Sequence, residues 1–404
     1  MKMILIYIRN AARSAWDDKL YSTFYILGMA VAFMLIILLF TAVRLVRSDA
    51  QPFVNAENMI RLETWFTDKN GNEIGGIETQ DIERFVSALP GTTGYSISNT
   101  EEILVFANGK VRVANVGFVR DSHFEINEFD FISGRPFTEN AVPQAVIAKS
   151  FADRSFPGNP LGEKITIQKQ EYTIVGVVRD FSSLQNPFEK AVIWVSDKYN
   201  QFLPSYEECY SINILFDQNM LPHDMQENLI HALTQYYRIK GIDANIKKDN
   251  VLTLQEAKYK YVGGSTFNYG AVAILLLLIL IPALNIMTLS SAKVYAMATE
   301  IAIKRALGAT KQQAFGQIIS ENILLSLVGF IFAVILVKPV MALIDGMLST
   351  SGNTISVLSG FSLDITVLAL TLVMALLFAL ISGGIPAYHT VVRNIAVELK
   401  GRDL

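Results

Sequence analysis

The stretch FYILGMAVAFMLIILLFTAV, Phe24 to Val43, holds no charged residue and decides how the rest of the chain is read. About twenty apolar residues at the helical rise span the hydrocarbon core of a bilayer, so this run predicts a membrane-crossing helix. Three more runs of the same kind crowd the final third, at Tyr269–Leu289, Asn322–Leu343 and Ile365–Ile385. Residues 44–268, between the first run and the second, are mostly polar. The layout predicts four transmembrane helices with one large soluble domain carried outside the membrane between the first two.

Composition agrees once it is split. The chain is 51% hydrophobic and 18% charged, an average over a lipid-compatible population and an ordinary globular one. A formal net charge of −3 argues against a nucleic-acid partner. The single cysteine, Cys209, excludes an internal disulfide, so the outer domain depends on its own core and is long enough to have one. Ser48-Asp49-Ala50 offers small residues to a signal peptidase. The apolar run before it is too long for a cleaved leader, however, and Arg9, Arg13 and Lys19 lie upstream. A retained anchor is the expectation.

Basic residues set the orientation. Lys2, Arg9, Arg13 and Lys19 precede the first span, and Lys293, Lys304, Arg305 and Lys311 lie between the second and third. Arg393, Lys400 and Arg402 follow the fourth, whereas Asp345 to Asp364 carries no Lys or Arg. Both termini are expected in the cytoplasm despite Arg44 and Arg47 beyond the first span. Residues 1–20 mix Ile4, Ile6, Tyr7, Ile8 and Trp16 with charges, which suits an amphipathic helix along the inner surface.

The outer domain reads as an α+β domain, strands and helices in alternation. Met59–Phe66 is a predicted strand followed by turn chemistry at Asp68–Asn72, and Glu78–Leu89 is a helix stopped by Pro90-Gly91. Ile103–Phe106 and Lys110–Val119 flank Asn108-Gly109, a hairpin signal. Ser211–Phe216 is a strand and Asp224–Ile239 a helix, so a strand–helix–strand unit is expected at each end. A β-rich insert over 121–200 separates residues 48–120 from 201–262, with strands at Ala145–Ala148, Lys164–Ile167, Glu171–Val178 and Ala191–Val195. Leu254–Tyr261 is a helical stalk, and Gly263-Gly264-Ser265 a hinge before the second span, placed at 263–291.

The sharpest local signal lies at 292–310, before the third span at 311–344. Ala292 to Leu307 reads as a helix broken at Gly308-Ala309-Thr310, and Thr310 with Gln313 forms a capping box that starts the next helix. Glu300 stands one turn before Lys304, and Ile303 one turn before Leu307. Spacing alone leaves two readings open, an ordinary basic connector or a knob for a cytoplasmic partner.

Glu300-Ile301-Ala302-Ile303-Lys304-Arg305-Ala306-Leu307-Gly308-Ala309 resembles the segment after the second helix in ABC transporter permeases of the MacB/FtsX/LolC type. Ile385-Pro386-Ala387-Tyr388 through Ala396-Val397-Glu398-Leu399 resembles that family's closing motif. Gly134-Arg135-Pro136-Phe137, Phe156 to Gly162 and Tyr172 to Phe181 are similar to the MacB-type periplasmic domain, whose halves are called Porter and Sabre. The resemblance implies Porter-like parts around a Sabre-like insert, an external loop at 345–364, a fourth span at 365–388 and a cytoplasmic tail at 389–404. It implies a multi-pass protein of the bacterial inner membrane.

It also implies a coupling helix seated in a separate cytoplasmic ATPase. Glu300, Lys304 and Arg305 would make charged contacts there, with Ile301, Ile303 and Leu307 as the packed core, Gly308 at the turn and Glu398 nearby. The chain has no G-x-x-x-x-G-K-[ST] loop, so it is expected to be no enzyme and to bind no cofactor, ATP being used by the partner. A second permease protomer, identical or related, completes the expected assembly, and a periplasmic adaptor is a further candidate. Mechanotransmission for export of peptides or antibiotics, or for lipoprotein handling, is the leading expectation. The alternatives are an FtsX-like transmitter that activates a cell-wall hydrolase and an ATPase-independent membrane-anchored binding protein.

Other constellations carry less. His223 and His231 fall two turns apart on one helix with no third ligand beside them, and Glu207-Glu208-Cys209 reads as a loop. Ser150, Ser155 and Ser265 lack a nucleophile-elbow setting, so no catalytic residue is expected.

Overall fold

The computed structural model describes residues 2–47, 51–62, 65–120, 122–138, 142–183, 185–199, 210–348 and 364–392. Two units emerge from them, a helical one built from the two ends of the chain and an α/β one within Arg44–Gly264.

The helical unit starts with α1 (Lys2–Asp17) and α2 (Lys19–Arg47). Asp18 separates them, and its carboxylate accepts the Tyr21 N–H at 3.4 Å, so it caps the new helix.

In the α/β unit come β1 (Met59–Leu62), β2 (Trp65–Thr67), β3 (Glu73–Gly75) and α3 (Thr79–Ser87). Then follow β4 (Thr92–Ala107), β5 (Lys110–Val119), α4 (His123–Ile126), β6 (Phe131–Gly134), β7 (Gln144–Ala148) and α5 (Lys149–Ser155). The series closes with β8 (Lys164–Ile167), β9 (Gln170–Val178), β10 (Ile193–Ser196), β11 (Ser211–Phe216), α6 (Pro222–Ile239) and α7 (Leu254–Tyr261).

Nine of these strands make one sheet in the order β1-β11-β4-β5-β10-β7-β9-β6, with β8 paired to β4 and β9. The expected hairpin is present, and it extends much further than its signal. Asn108 and Gly109 both take positive φ, the primed turn that matches strand twist, and β4 pairs with β5 from Ser98–Val119 down to Ala107–Lys110. β4 serves two cores. Its Ile97 packs with the residues of β1, β11, α3 and α6, while Val105 and Ala107 pack with those of β5, β7, β9 and β10.

The β-rich stretch over 121–200 supplies β6 to β10, which join the same sheet through β4 and β5. One expectation is corrected here: among the described residues the second strand–helix–strand unit lacks its closing strand. After α6 the described chain makes two isolated bridges, Asp68 to Ala244 and Ile60 to Thr253, with Asn245 N–H on Thr67 O at 2.8 Å.

Side chains tie the helices of this unit to one another. Lys240 on the turn after α6 pairs with Glu78 and lies 3.0 Å from Asp81, which also accepts the Tyr236 hydroxyl at 2.9 Å. Hydrogen bonds from Lys240 hold the Glu78 and Asp81 carboxyls below their usual range. Thr253 and Glu256 form a reciprocal capping box at 3.1 and 3.0 Å that starts α7. Gln226 of α6 donates to Glu256 at 2.6 Å.

A fully buried polar cluster sits behind the sheet. His123 Nδ1 meets the Ser96 hydroxyl at 2.8 Å and the Asn127 amide nitrogen at 3.2 Å. Asn127 can only donate from that nitrogen, which makes Nδ1 the acceptor and places the ring proton on Nε2. Nε2 faces Glu189 Oε2 at 3.6 Å, while Glu189 Oε1 accepts the Trp194 indole N–H at 3.2 Å. Burial pushes the His123 imidazole down to about 3. Burial also pushes the Glu189 carboxyl up to about 7, against the pull of its donors from Ala191 and Trp194 and of the Arg61 charge.

The two shifts oppose each other. The raised Glu189 contributes stability in full below about 4.5, lost as pH climbs through about 7. The depressed His123 contributes in full above about 6.5, lost as pH falls toward about 3. Between pH 4.5 and 6.5 they cancel. Glu189→Gln removes one side of that balance. Its α/β unit should lose about 2 kcal/mol on going from pH 6.5 to 5, where the parent stays nearly flat. Chemical unfolding of the purified protein at the two pH values, followed by Trp fluorescence, checks this.

The chain then returns to the helical unit with α8 (Gly264–Ala296), α9 (Ala298–Ala306), α10 (Lys311–Leu348) and α11 (Ile365–Val392). Three helices, over Lys19–Val46, Lys311–Met347 and Ile365–Tyr388, are long and apolar enough to cross a membrane, and α8 counted with α7 makes a fourth. α2 lies at the centre of their packing. Its Tyr25, Met29, Phe33, Ile36 and Ile37 are buried, and Phe33 meets Phe330 of α10 and Phe378 of α11 edge-on at 6.5 and 6.1 Å.

Candidate functional site

The elbow between α8 and α10 is built from two local stop signals. At its far end Gly308 takes a φ of +101°, its N–H bonds Arg305 O at 3.1 Å, and Ala309 N–H bonds Lys304 O at 3.0 Å. These two bonds make a Schellman motif, which needs a left-handed residue at that place and so favours glycine. Immediately after it, Thr310 Oγ1 accepts Gln313 N–H at 3.3 Å and Gln313 Oε1 accepts Thr310 N–H at 2.9 Å. That reciprocal pair is the capping box expected from the sequence.

The near end differs from expectation. The helix predicted over Ala292–Leu307 is two helices, because α8 runs on to Ala296 and α9 starts only at Ala298. Met297 turns the chain at φ −86° and ψ 0°, yet Met297 N–H still reaches Lys293 O and Ile301 N–H still reaches Met297 O, both at 2.9 Å. The bend keeps its hydrogen bonds and uses no Gly or Pro, so nothing in the residue pattern announces it.

α9 has an inner face and an outer one. Ile301 is buried in a small cluster with Ala314 and Ile318 of α10 and Ala387 of α11, with Met297 and Phe315 at its edge. Ile301 therefore cannot belong to an outward contact and is corrected to a seat for the helix. Ile303 is 47% exposed and Leu307 84% exposed. Glu300 pairs with Lys304 one turn on at 2.6 Å, and Lys304 also reaches Gln317 Oε1 at 3.5 Å. Glu300, Ile303, Lys304 and Leu307 form a stripe at three- and four-residue spacing, and Arg305 is half-buried beside it. Glu398 lies outside the described residues, as does Cys209.

A second constellation, missed from the sequence, lies inside the same helical unit. Glu321 of α10 is paired with Lys293 of α8, the two side chains being only 8% and 10% exposed. Both Glu321 oxygens accept the Ser14 hydroxyl of α1 at 3.1 Å. The Lys293 ammonium lies 4.2 Å from the ring centroid of Tyr21 on α2. Tyr21 donates to Asn322 Oδ1 at 3.5 Å, and Asn322 Nδ2 donates to Ser290 Oγ at 3.4 Å. One turn deeper, Tyr25 shares hydrogen bonds with Ser326 at 3.3 Å and Ser382 at 3.4 Å. α11 approaches so closely that a Cβ at Gly383 would fall 2.1 Å from Asn322 Nδ2. Lys293 reads in the sequence as one more positive-inside residue and Glu321 as a rare charge near a span; only the fold shows that they meet.

The discarded histidines stay on the surface of α6. His223 faces Glu227 at 3.3 Å and His231 meets Gln235 at 3.2 Å.

Residues 22–230 match the MacB-like periplasmic core domain. Residues 272–395 match the FtsX-like permease C-terminal. The chain belongs to the MacB/FtsX-type ABC transporter permeases. It is 23% identical over 269 residues to the uncharacterised ABC transporter permease YknZ of Bacillus subtilis (strain 168), covering 64% of this chain and 66% of that protein. It is 22% identical over 286 residues to the macrolide export ATP-binding/permease protein MacB of Vibrio parahaemolyticus, covering 68% of this chain and 42% of that one. The chain thus spans just under two thirds of the first relative's length and well under half of the second's. The solved periplasmic region of MacB from Actinobacillus actinomycetemcomitans aligns at a TM-score of 0.39 with 16% identity, covering 52% of this chain and 94% of that one.

The two faces of α9 predict different costs. Ile301→Ala opens a void between α9, α10 and α11 and should cost about 2–4 kcal/mol, while Leu307→Ala should leave stability within about 0.5 kcal/mol. Thermal unfolding of the detergent-purified permease should separate the two by several degrees.

Proposed function

We propose that this permease passes ATP-driven motion from a separate ABC ATPase through α9 to its α/β unit. The observation that carries the reading is the outer stripe of exposed Glu300, Ile303 and Leu307, with half-buried Lys304 among them, on a helix whose other face is fixed by Ile301. Apolar anchors within a charged surround suit a specific protein contact. A helix pinned on one side transmits a push rather than absorbing it.

The rest follows from that contact. The elbow and both termini lie in the cytoplasm, the α/β unit lies outside, and the membrane is the bacterial inner membrane. ATP is bound and hydrolysed by the partner, and two permease protomers, identical or related, face two ATPase subunits. The cargo class that fits is an exported amphiphile, a peptide, antibiotic or lipoprotein, handled by the α/β unit outside the bilayer, with an adaptor as a further partner.

Co-purification with the ABC ATPase encoded beside the permease tests the contact. The parent pair should form a complex that hydrolyses ATP. Lys304→Glu with Arg305→Glu, or Leu307→Asp alone, should dissociate it or cut coupled hydrolysis at least ~10-fold, the loss of one interface anchor. An ATPase that binds and turns over equally with both variants would remove α9 from the interface.

A further inference from the structure

We propose that the buried Lys293–Glu321 pair, with Ser14 and Tyr21, is the positioning element that makes α1, α2, α8 and α10 move as one lever when α9 is pushed. The inference rests on the function proposed above and names the residues inside the bundle through which it would act.

Three observations lead to it. First, placement: Lys293 is four residues before Met297, where the chain bends into α9, and Met297 N–H bonds the Lys293 carbonyl. Any rotation of α9 about that bend acts directly on the turn that holds the Lys293 side chain. Second, connectivity: Glu321 receives Lys293 from α8 and Ser14 from α1, and the Lys293 ammonium caps the Tyr21 ring of α2. Asn322, the next residue, bonds Tyr21 of α2 and Ser290 of α8 and packs on Gly383 of α11. Every helix of the unit except α9 therefore meets this one layer.

Third, cost. Two charges held almost out of solvent lock their helices together, since separating them leaves each without a partner in an apolar setting. An ordinary apolar layer would hold the helices equally well but would let them slide. A layer of directional bonds permits a few discrete arrangements instead, which is what a lever requires. The neighbouring Tyr25, Ser326 and Ser382 bonds extend the layer one turn further into the bundle. Glu321 and Lys293 touch no cargo in this scheme, and their part is to position α2 and α8.

The test uses the full permease bound to its ATPase in nanodiscs. Hydrogen exchange is compared with and without ATP plus orthovanadate, read at two places, α9 (residues 298–306) and α7 (residues 254–261). In the parent, nucleotide should change exchange at both. With Glu321→Gln or Lys293→Met, the change at α9 should persist while that at α7 falls by ~5-fold or more, the low end of typical coupling between sites. The exchanged pair Lys293→Glu with Glu321→Lys should restore the α7 response, a recovery that simple packing would not produce. Lys293→Arg, which keeps the charge, serves as the second variant should Glu321→Gln fail to insert, and should retain the response.

Undiminished α7 responses in Glu321→Gln and Lys293→Met would overturn the inference. So would a charge-exchanged protein no better than the single variants. Absence of any nucleotide response at α9 in the parent is a different failure, because it removes the ATPase contact itself.

Discussion

A polar group placed between apolar helices has to find its partner within the protein. That constraint organises the helical unit. Nothing in lipid can satisfy a Glu carboxylate or an Asn amide, so Glu321 and Asn322 of α10 draw α1, α2, α8 and α11 to one level. Dispersion and aromatic packing around Phe33 hold α2, α10 and α11 together without choosing a register. The polar layer chooses it. Removing one member of a buried pair typically costs ~3–5 kcal/mol, several times the worth of an exposed pair such as Glu300–Lys304.

The α/β unit solves a different problem by sharing rather than pairing. A long strand and its hairpin partner give backbone to two cores, so the β-rich half is bonded to the rest through β4 and β5 instead of being tethered by linkers. A force applied to one half is carried by ladder hydrogen bonds to the other. The capping box at Thr253–Glu256, with Gln226 on Glu256, adds α7 to α6 in the same way. Beyond α7 the chain passes Gly263 and Gly264, both at positive φ, where the backbone is least restrained.

What the sequence made legible follows the range of each signal. Spans of apolar residues are read from one unbroken run of sequence, and the Asn108-Gly109 turn, the Thr310–Gln313 box and the Gly308 stop are each decided by residues within a few positions. The α+β class and the family were readable for the same reason, from motifs whose spacing is short. Three things were not. The bend at Met297 keeps its hydrogen bonds and so carries no breaker residue. The union of the β-rich half with its neighbours depends on β4 continuing upstream of Ile103 through Thr92, where polar and apolar residues mix with no clean alternation. The Lys293–Glu321 pair joins residues on different helices, and side chains that far apart meet only because the fold brings them together. Ile301 shows the limit most simply: it and Ile303 have the same chemistry, and only packing tells which one faces inward.

These features bear on one another at the elbow. The role proposed for α9 needs an exposed face to be gripped and a fixed face to push against, and α9 has both within nine residues. The Schellman turn and the capping box at one end set its angle to α10 in fixed backbone geometry. The unbroken hydrogen bonds at Met297 keep it continuous with α8. The elbow is therefore stiff toward both neighbours, and the nearest place where displacement can be absorbed lies within the bundle, at the layer of directional bonds one helical turn from Met297. A pure oil core at that level would dissipate the motion by repacking. Bonds with partners on four helices instead require the helices to shift together or not at all.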